Sequence, residues 1–193
     1  MGKEMFEILW HGRGGQGAKT AATMVAHAAM DQGQYSQGFP EYGPERMGAP
    51  MKGYTRISDT PITVHCSITK PNAVVVLDSS LLDAIDVTEG TDENTIFILN
   101  TKISPAQARE SLGLKGGKVY TIDAMGISLD EIGRPIPNVP VIGALVKATG
   151  LLTLESCKHD IEKKFGAKFG KKIVDGNIKA LERAHEELKG EEN

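Results

Sequence analysis

The chain has 193 residues, 40% of them hydrophobic and 24% charged, which is enough for one compact domain with its own core. A formal net charge of −3 offers no basic field for nucleic acid, and no run of about 18 apolar residues supplies a membrane span. The first residues carry no apolar signal segment, and Phe6 stands where an N-myristoylation signal needs Ser or Thr, so a cytoplasmic location is expected.

In chain order, residues 5–11 read as a strand and 16–32 as a helix, with Gly33 as its C-terminal cap. Ala18, Ala21, Ala22, Val25, Ala28 and Ala29 form one helical face of small side chains suited to close packing on a sheet. The stretch from Gln34 to Pro50 is rich in glycine and proline and reads as a long irregular loop. Its aromatic residues speak for a packed or partner-facing loop rather than disorder. Met51–Ser58 and Ile62–Ile68 are expected to form a β-hairpin around Asp59-Thr60-Pro61. Ala73–Leu77 is an apolar run that fits a central strand buried on both faces and ending at Asp78.

Residues 95–99 and 118–122 read as further strands, with Ser104-Pro105 starting a helix between them. The proline-rich segment 134–140 introduces a helix over 141–149, and another helix starts at Thr153. A last helix over 171–189 places Val174, Ile178, Leu181 and Leu188 on one face. Strand–helix alternation therefore predicts an α/β fold: a single domain over 1–189 with a mostly parallel sheet flanked by helices, a β-hairpin insertion, and a frayed end at 190–193.

The chemistry concentrates at Gly12-Arg13-Gly14-Gly15-Gln16-Gly17, between the first strand and the first helix. Glycines there let backbone N–H groups approach an anion, and the helix N-terminus adds partial positive charge. The loop satisfies the dinucleotide fingerprint, but no second parallel strand is expected to present Glu41 or Glu45 to a ribose. It misses the P-loop pattern because Ala18 precedes Lys19-Thr20. One added residue turns the lysine by about 100° at ~3.6 residues per turn, away from the phosphates. The glycines could also serve only a tight turn and close packing. Arg13 and Gln16 point beyond that, since a guanidinium and an amide suit an anion or carbonyl. His11 fits a ligand-facing group or a structural one.

The chain has two cysteines, Cys66 and Cys157. Neither has a partner at metal-ligand spacing, so both are expected to be small buried hydrophobes.

Together, Gly12–Gly17 and the segment Phe39-Pro40-Glu41-Tyr42-Gly43-Pro44-Glu45-Arg46-Met47-Gly48-Ala49-Pro50 resemble the gamma subunit of 2-oxoacid:ferredoxin oxidoreductases. Val74–Asp78, Asn138 and Gly176-Asn177-Ile178-Lys179-Ala180-Leu181 resemble it too, so the likeness covers essentially the whole chain. Phe39-Pro40-Glu41 and Gly48-Ala49-Pro50 look like the pyruvate branch, while Met47 replaces a second arginine found in other branches.

The resemblance implies a complex that converts pyruvate, coenzyme A and oxidised ferredoxin to acetyl-CoA, carbon dioxide and reduced ferredoxin, reversibly. It also implies thiamine pyrophosphate, Mg and 4Fe-4S clusters in the holoenzyme, held on alpha, beta and delta-type partner subunits. This chain would be a necessary subunit with no catalytic residue of its own. Asp175-Gly176-Asn177 superficially suggests a thiamine-diphosphate motif, but the preceding glycine and downstream asparagine are missing and the segment reads as helix. The loop residues Gly12, Arg13, Gly14, Gly15, Gln16 and Gly17, with Glu45 and Arg46, are then expected to contact coenzyme A phosphates or the oxoacid carboxylate. A free-standing NAD or ATP enzyme and a purely structural assembly module are the alternatives.

Overall fold

The computed structural model describes residues 5–41 and 48–191. Its centre is four parallel strands: β1 (Phe6–Arg13), β4 (Ala73–Val76), β5 (Ile96–Asn100) and β6 (Lys118–Ile122). Antiparallel neighbours extend both sides: β3 (Pro50–Ser58) and then β2 (Tyr35–Glu41) beyond β1, and β7 (Lys189–Gly190) beyond β6. The resulting seven-stranded order is β2-β3-β1-β4-β5-β6-β7.

Alternation along β4 explains the two cores. Ala73, Val75 and Leu77 face a layer built by α1 (Ala18–Asp31), α3 (Ala124–Ile132), α4 (Asn138–Thr149), α5 (Leu154–Gly166) and α6 (Lys171–Glu187). Val74 and Val76 face the other side, covered by Leu81, Val87 and α2 (Pro105–Ser111). Helices thus lie on both faces, but among the described residues five of the six lie on one. That thick layer closes because side chains are absent where backbones cross. A Cβ on Gly143 of α4 would lie 2.1 Å from the Leu181 carbonyl oxygen of α6.

Local chemistry sets the helix ends. Ser104 and Gln107 form a reciprocal capping box at α2, with Pro105 at its first position. Thr153 caps α5 through Ser156 N–H at 3.2 Å. Arg109 of α2 grips Glu191 in a two-pronged ion pair at 2.5 and 2.6 Å and donates to the Gly116 and Gly117 carbonyls.

Four expectations are corrected. The irregular stretch 34–50 contains β2, which tolerates breakers because it is an edge strand: Pro40 has no N–H to lose on a free edge, and Gly38 lets α1 come close. The expected hairpin has the wrong partner. β3 pairs with β2, and 62–68 runs as irregular, mostly exposed chain with Ile68 alone buried. Helix α3 was not anticipated; Asp123 caps it by accepting from Gly126 N–H at 2.9 Å. At the C-terminal end, Gly190 pairs with Tyr120 and Glu191 with Arg109, so the expected fraying does not describe these two residues; Glu192 and Asn193 lie outside the described residues.

Candidate functional site at the glycine loop

Where β1 ends, its ladder with β3 continues into the loop, with Gly14 donating to Ala49 O at 3.0 Å and accepting from Gly48 N at 3.2 Å. The turn closes on itself: Gln16 Oε1 accepts from Arg13 N–H at 2.8 Å, and Gln16 Nε2 donates to Asp78. Asp78 follows β4, so this contact joins the carboxyl ends of two parallel strands, the usual place for a ligand crevice in open α/β sheets.

Arg13 is bound rather than free. Its Nε and Nη2 donate to Ser80 Oγ at 3.0 and 2.9 Å, its Nη1 donates to Gly48 O at 3.2 Å, and Asp78 lies 3.6 Å away. Asp78 in turn accepts from Ser80 N and Oγ at 2.9 and 2.6 Å. Burial raises the Asp78 carboxyl, but the Ser80 and Gln16 hydrogen bonds and the Arg13 charge outweigh it and hold the carboxyl below its usual range. Arg13 and Gln16, expected to reach a ligand, thus form the frame of their own loop. Glu45 and Arg46 lie outside the described residues.

Beyond the frame, Gly17 starts α1 at φ +85° and supplies no side-chain cap. Its missing Cβ matters twice, because one would be left-handed and would lie 2.7 Å from Asn138 Nδ2. The loop and α1 open onto a cleft of about 310 Å³ lined by Gly15, Gly17, Thr20, Arg134, Asn138 and Asn177, with Phe165 and Phe169 on its apolar side. Asn138 and Asn177 are buried, their Oδ1 and Nδ2 held by Val139 N and Ile173 O at 2.8 and 2.7 Å. Among the described residues, Asn138 Nδ2 and the exposed Arg134 guanidinium have no partner. The uncapped helix start, the Asn138 amide and Arg134 make a donor set for an anion, next to an apolar wall. Sequence reasoning did not assign Arg134 and Asn177 to the site: Arg134 stands in the proline-rich segment between α3 and α4, and Asn177, quoted only for the resemblance, is a polar residue on the buried face of α6.

The two nucleotide alternatives lose their geometry. β1 has β3 and β4 as neighbours, so Glu41 sits two strands away, where it accepts from Tyr54 Oη. Lys19 is exposed on α1. Asp175-Gly176-Asn177 is inside α6, with Gly176 against the α3 backbone.

Residues 7–187 match the family described as pyruvate ferredoxin/flavodoxin oxidoreductase. The chain belongs to that family. It is 47% identical to the pyruvate synthase subunit PorC of Thermotoga maritima, over 97% of this chain and 96% of the other. It is 48% identical to the pyruvate/ketoisovalerate oxidoreductases common subunit gamma of Thermococcus kodakarensis, over 93% and 95%. The crystal structure of the T. maritima PORC subunit superposes with a TM-score of 0.87 at 44% identity, covering 98% of this chain and all of that one. A 2-oxoglutarate:ferredoxin oxidoreductase chain from Magnetococcus marinus shares the fold at 18% identity and TM-score 0.77, over 94% of this chain and 30% of that longer one.

In this family member a second cleft, of about 340 Å³, lies across β1 from the first. It is lined by His11, Glu41, Lys52, Asp86 and Glu89 with the apolar Pro50, Met51 and Ile85. His11 is 1% exposed, and neither ring nitrogen has a hydrogen-bond partner among the described residues. An unmade bond at a buried polar atom costs roughly 1–3 kcal/mol. Burial and then Lys52 push His11 down to about 4 against an opposing pull from Asp86, so the ring is neutral at neutral pH. The cysteines divide: Cys157 is buried and its thiol is pushed up to about 12 by burial, as a structural thiol should be, whereas Cys66 is exposed, contrary to expectation. Its exposure follows from 62–68 not being a strand; its carbonyl accepts from Arg56 Nη2 at 2.8 Å.

Proposed function

We propose that this chain is the gamma subunit of a pyruvate synthase, a multi-subunit pyruvate:ferredoxin oxidoreductase, and that its glycine loop shapes the approach of coenzyme A or the oxoacid to a thiamine site on a partner chain. The near full-length identity of 47% with a pyruvate synthase subunit carries the reading. The overall reaction joins pyruvate, coenzyme A and oxidised ferredoxin to give acetyl-CoA, carbon dioxide and reduced ferredoxin, reversibly.

Thiamine pyrophosphate with Mg, and the 4Fe-4S clusters, are assigned to alpha, beta and delta-type partners. Four thiolates hold such a cluster. The two cysteines here do not fit one, since Cys157 sits in the apolar core and Cys66 alone is exposed. The diphosphate of thiamine has no cradle at Gly176, which packs on the Glu131 carbonyl. The chain's own contribution is binding and positioning. Asp78, Ser80 and Gly48 hold Arg13 and with it the turn that leads into α1, whose start at Gly17 lies against Asn138 of α4 at the cleft. Because a relative serves pyruvate and ketoisovalerate enzymes alike, we place the choice of oxoacid on the partner chains. The location is cytoplasmic, in keeping with the absence, among the described residues, of any helix long and apolar enough to cross a membrane.

An anaerobic pull-down of the tagged chain from its host, assayed by viologen reduction dependent on pyruvate and coenzyme A, tests this. Brown, thiamine-containing partners with that activity are expected. A colourless chain recovered alone and binding NAD or ATP overturns it. In the active complex, Arg13→Ala and Arg134→Ala should raise KM for coenzyme A or pyruvate; loop variants that alter association and leave KM untouched would instead favour the assembly-module reading.

A further inference from the structure

The cleft lined by His11 has no part in the reading above, yet it is built as a receptor. We propose that it receives one basic side chain, arginine or lysine, projected by a neighbouring subunit of the complex; this rests on the chain being such a subunit. Acids outnumber bases among the described lining residues: Glu41, Asp86 and Glu89 face Lys52. Among the described residues, Lys52 pairs with Glu89 alone, at 3.5 Å. Asp86 uses one oxygen, Oδ1, to accept from Thr88 N and Oγ1 at 2.8 and 2.6 Å, and among the described residues its Oδ2 has no partner. Glu41 likewise gives one oxygen to Tyr54 and, among the described residues, keeps the other.

The acidic rim gains its meaning from the floor. His11 is 1% exposed and its ring forms part of the cleft wall, with both nitrogens unpartnered among the described residues. A buried neutral imidazole offers one acceptor nitrogen. Burial and Lys52 keep it uncharged, so it does not repel an incoming cation. Pro50, Met51 and Ile85 give the long side-chain stem an apolar wall, while the charged head meets the carboxylates. A guanidinium with its fork of five donors suits such a divided acceptor set especially well. An anionic ligand would face three carboxylates.

The test uses the reconstituted complex. Asp86→Asn and Glu89→Gln should each weaken association of this chain with its partners by about tenfold at low salt, with the difference shrinking as salt rises. Glu162→Gln, an exposed acid on α5, is the control and should leave association unchanged. Thermal melts of each isolated chain confirm that it is folded, and Glu89→Gln covers the case in which Asp86→Asn disturbs its own turn. In chain carrying nitrogen-15 histidine, a His11 ring nitrogen should shift on assembly in the wild type. If wild type recovers its partners but both cleft variants associate as tightly as Glu162→Gln, or the His11 signals do not move on assembly, the cleft is not the receptor. If wild type recovers no partner at all, it is the subunit reading that fails.

Discussion

Replacing Gly17 with alanine separates two costs that coincide at the start of α1. The first is backbone strain: at φ +85° an L-residue costs roughly 1–2 kcal/mol. The second is collision, because the new Cβ would lie 2.7, 3.0 and 3.1 Å from Nδ2, Cβ and Cγ of the buried Asn138. Overpacking of that kind costs about 1–3 kcal/mol. The expected loss is therefore about 2–5 kcal/mol, or a fall in Tm of about 4–20 °C for a domain of this size.

Gly33 supplies the control. Its φ of +82° is nearly the same, but a Cβ there would meet nothing within 4 Å. Gly33→Ala should therefore lose only the strain, about 1–2 kcal/mol. Urea and thermal unfolding followed by circular dichroism measure both. A cycle with Asn138→Ala adds a second check: trimming the amide should cost less in the Gly17→Ala background than in the wild type, because part of the collision disappears. Equal losses for Gly17→Ala and Gly33→Ala, with additive effects of Asn138→Ala, would refute the claim that the loop and α4 are fitted to each other.

Asp78→Asn should destabilise by about 1–3 kcal/mol by loosening Ser80, Gln16 and Arg13. Since the folded carboxyl is held below its ordinary 3.8, its contribution is complete above that value and is lost as pH falls through the lower folded one. Urea melts should thus show the gap between wild type and variant closing in acid; a constant gap argues against the network. Glu7→Gln leaves the Arg56 guanidinium, 1% exposed and 2.7 Å from Glu7, without its counter-charge, and should cost about 3 kcal/mol by chemical denaturation. A loss below about 0.5 kcal/mol would mean that the Cys66 carbonyl suffices. In the native chain a thiol reagent should modify one cysteine, Cys66, with Cys157 reacting only on unfolding; peptide mapping decides it.

The elements legible in the sequence were those whose signal is local. Ser104-Pro105 announces α2 by its cap, and Ala73–Leu77 announces a two-faced central strand by its unbroken apolarity. The glycine loop was legible as a strand-to-helix turn. Elements set by neighbours were not. β2 is half-exposed and carries Gly38 and Pro40, so nothing in its composition signals a strand until β3 offers an edge. Ile62–Ile68 has the alternation of a strand, but β2 already occupies the edge it would need. The site divides in the same way. Asn138 and Asn177 entered through the family resemblance and not as loop residues, and with Arg134 they reach the loop only through the packing of α3, α4 and α6. The roles expected of Arg13 and Gln16 rested on residue type alone, and type does not reveal that Ser80, Gly48 and Asp78 already engage them.

The short strand β7 also governs how the protein must be handled. It covers the outer edge of β6 at Tyr120 and Thr121, and the Glu191 carboxylate latches it to Arg109. An uncovered β6 would be an open template for sheet-to-sheet aggregation. A truncation at Leu188 would therefore damage solubility more than stability. The opposite edge needs no such cover, because Pro40 already spoils it for pairing. An affinity tag belongs beyond Glu191 on a flexible spacer, where it leaves the latch closed.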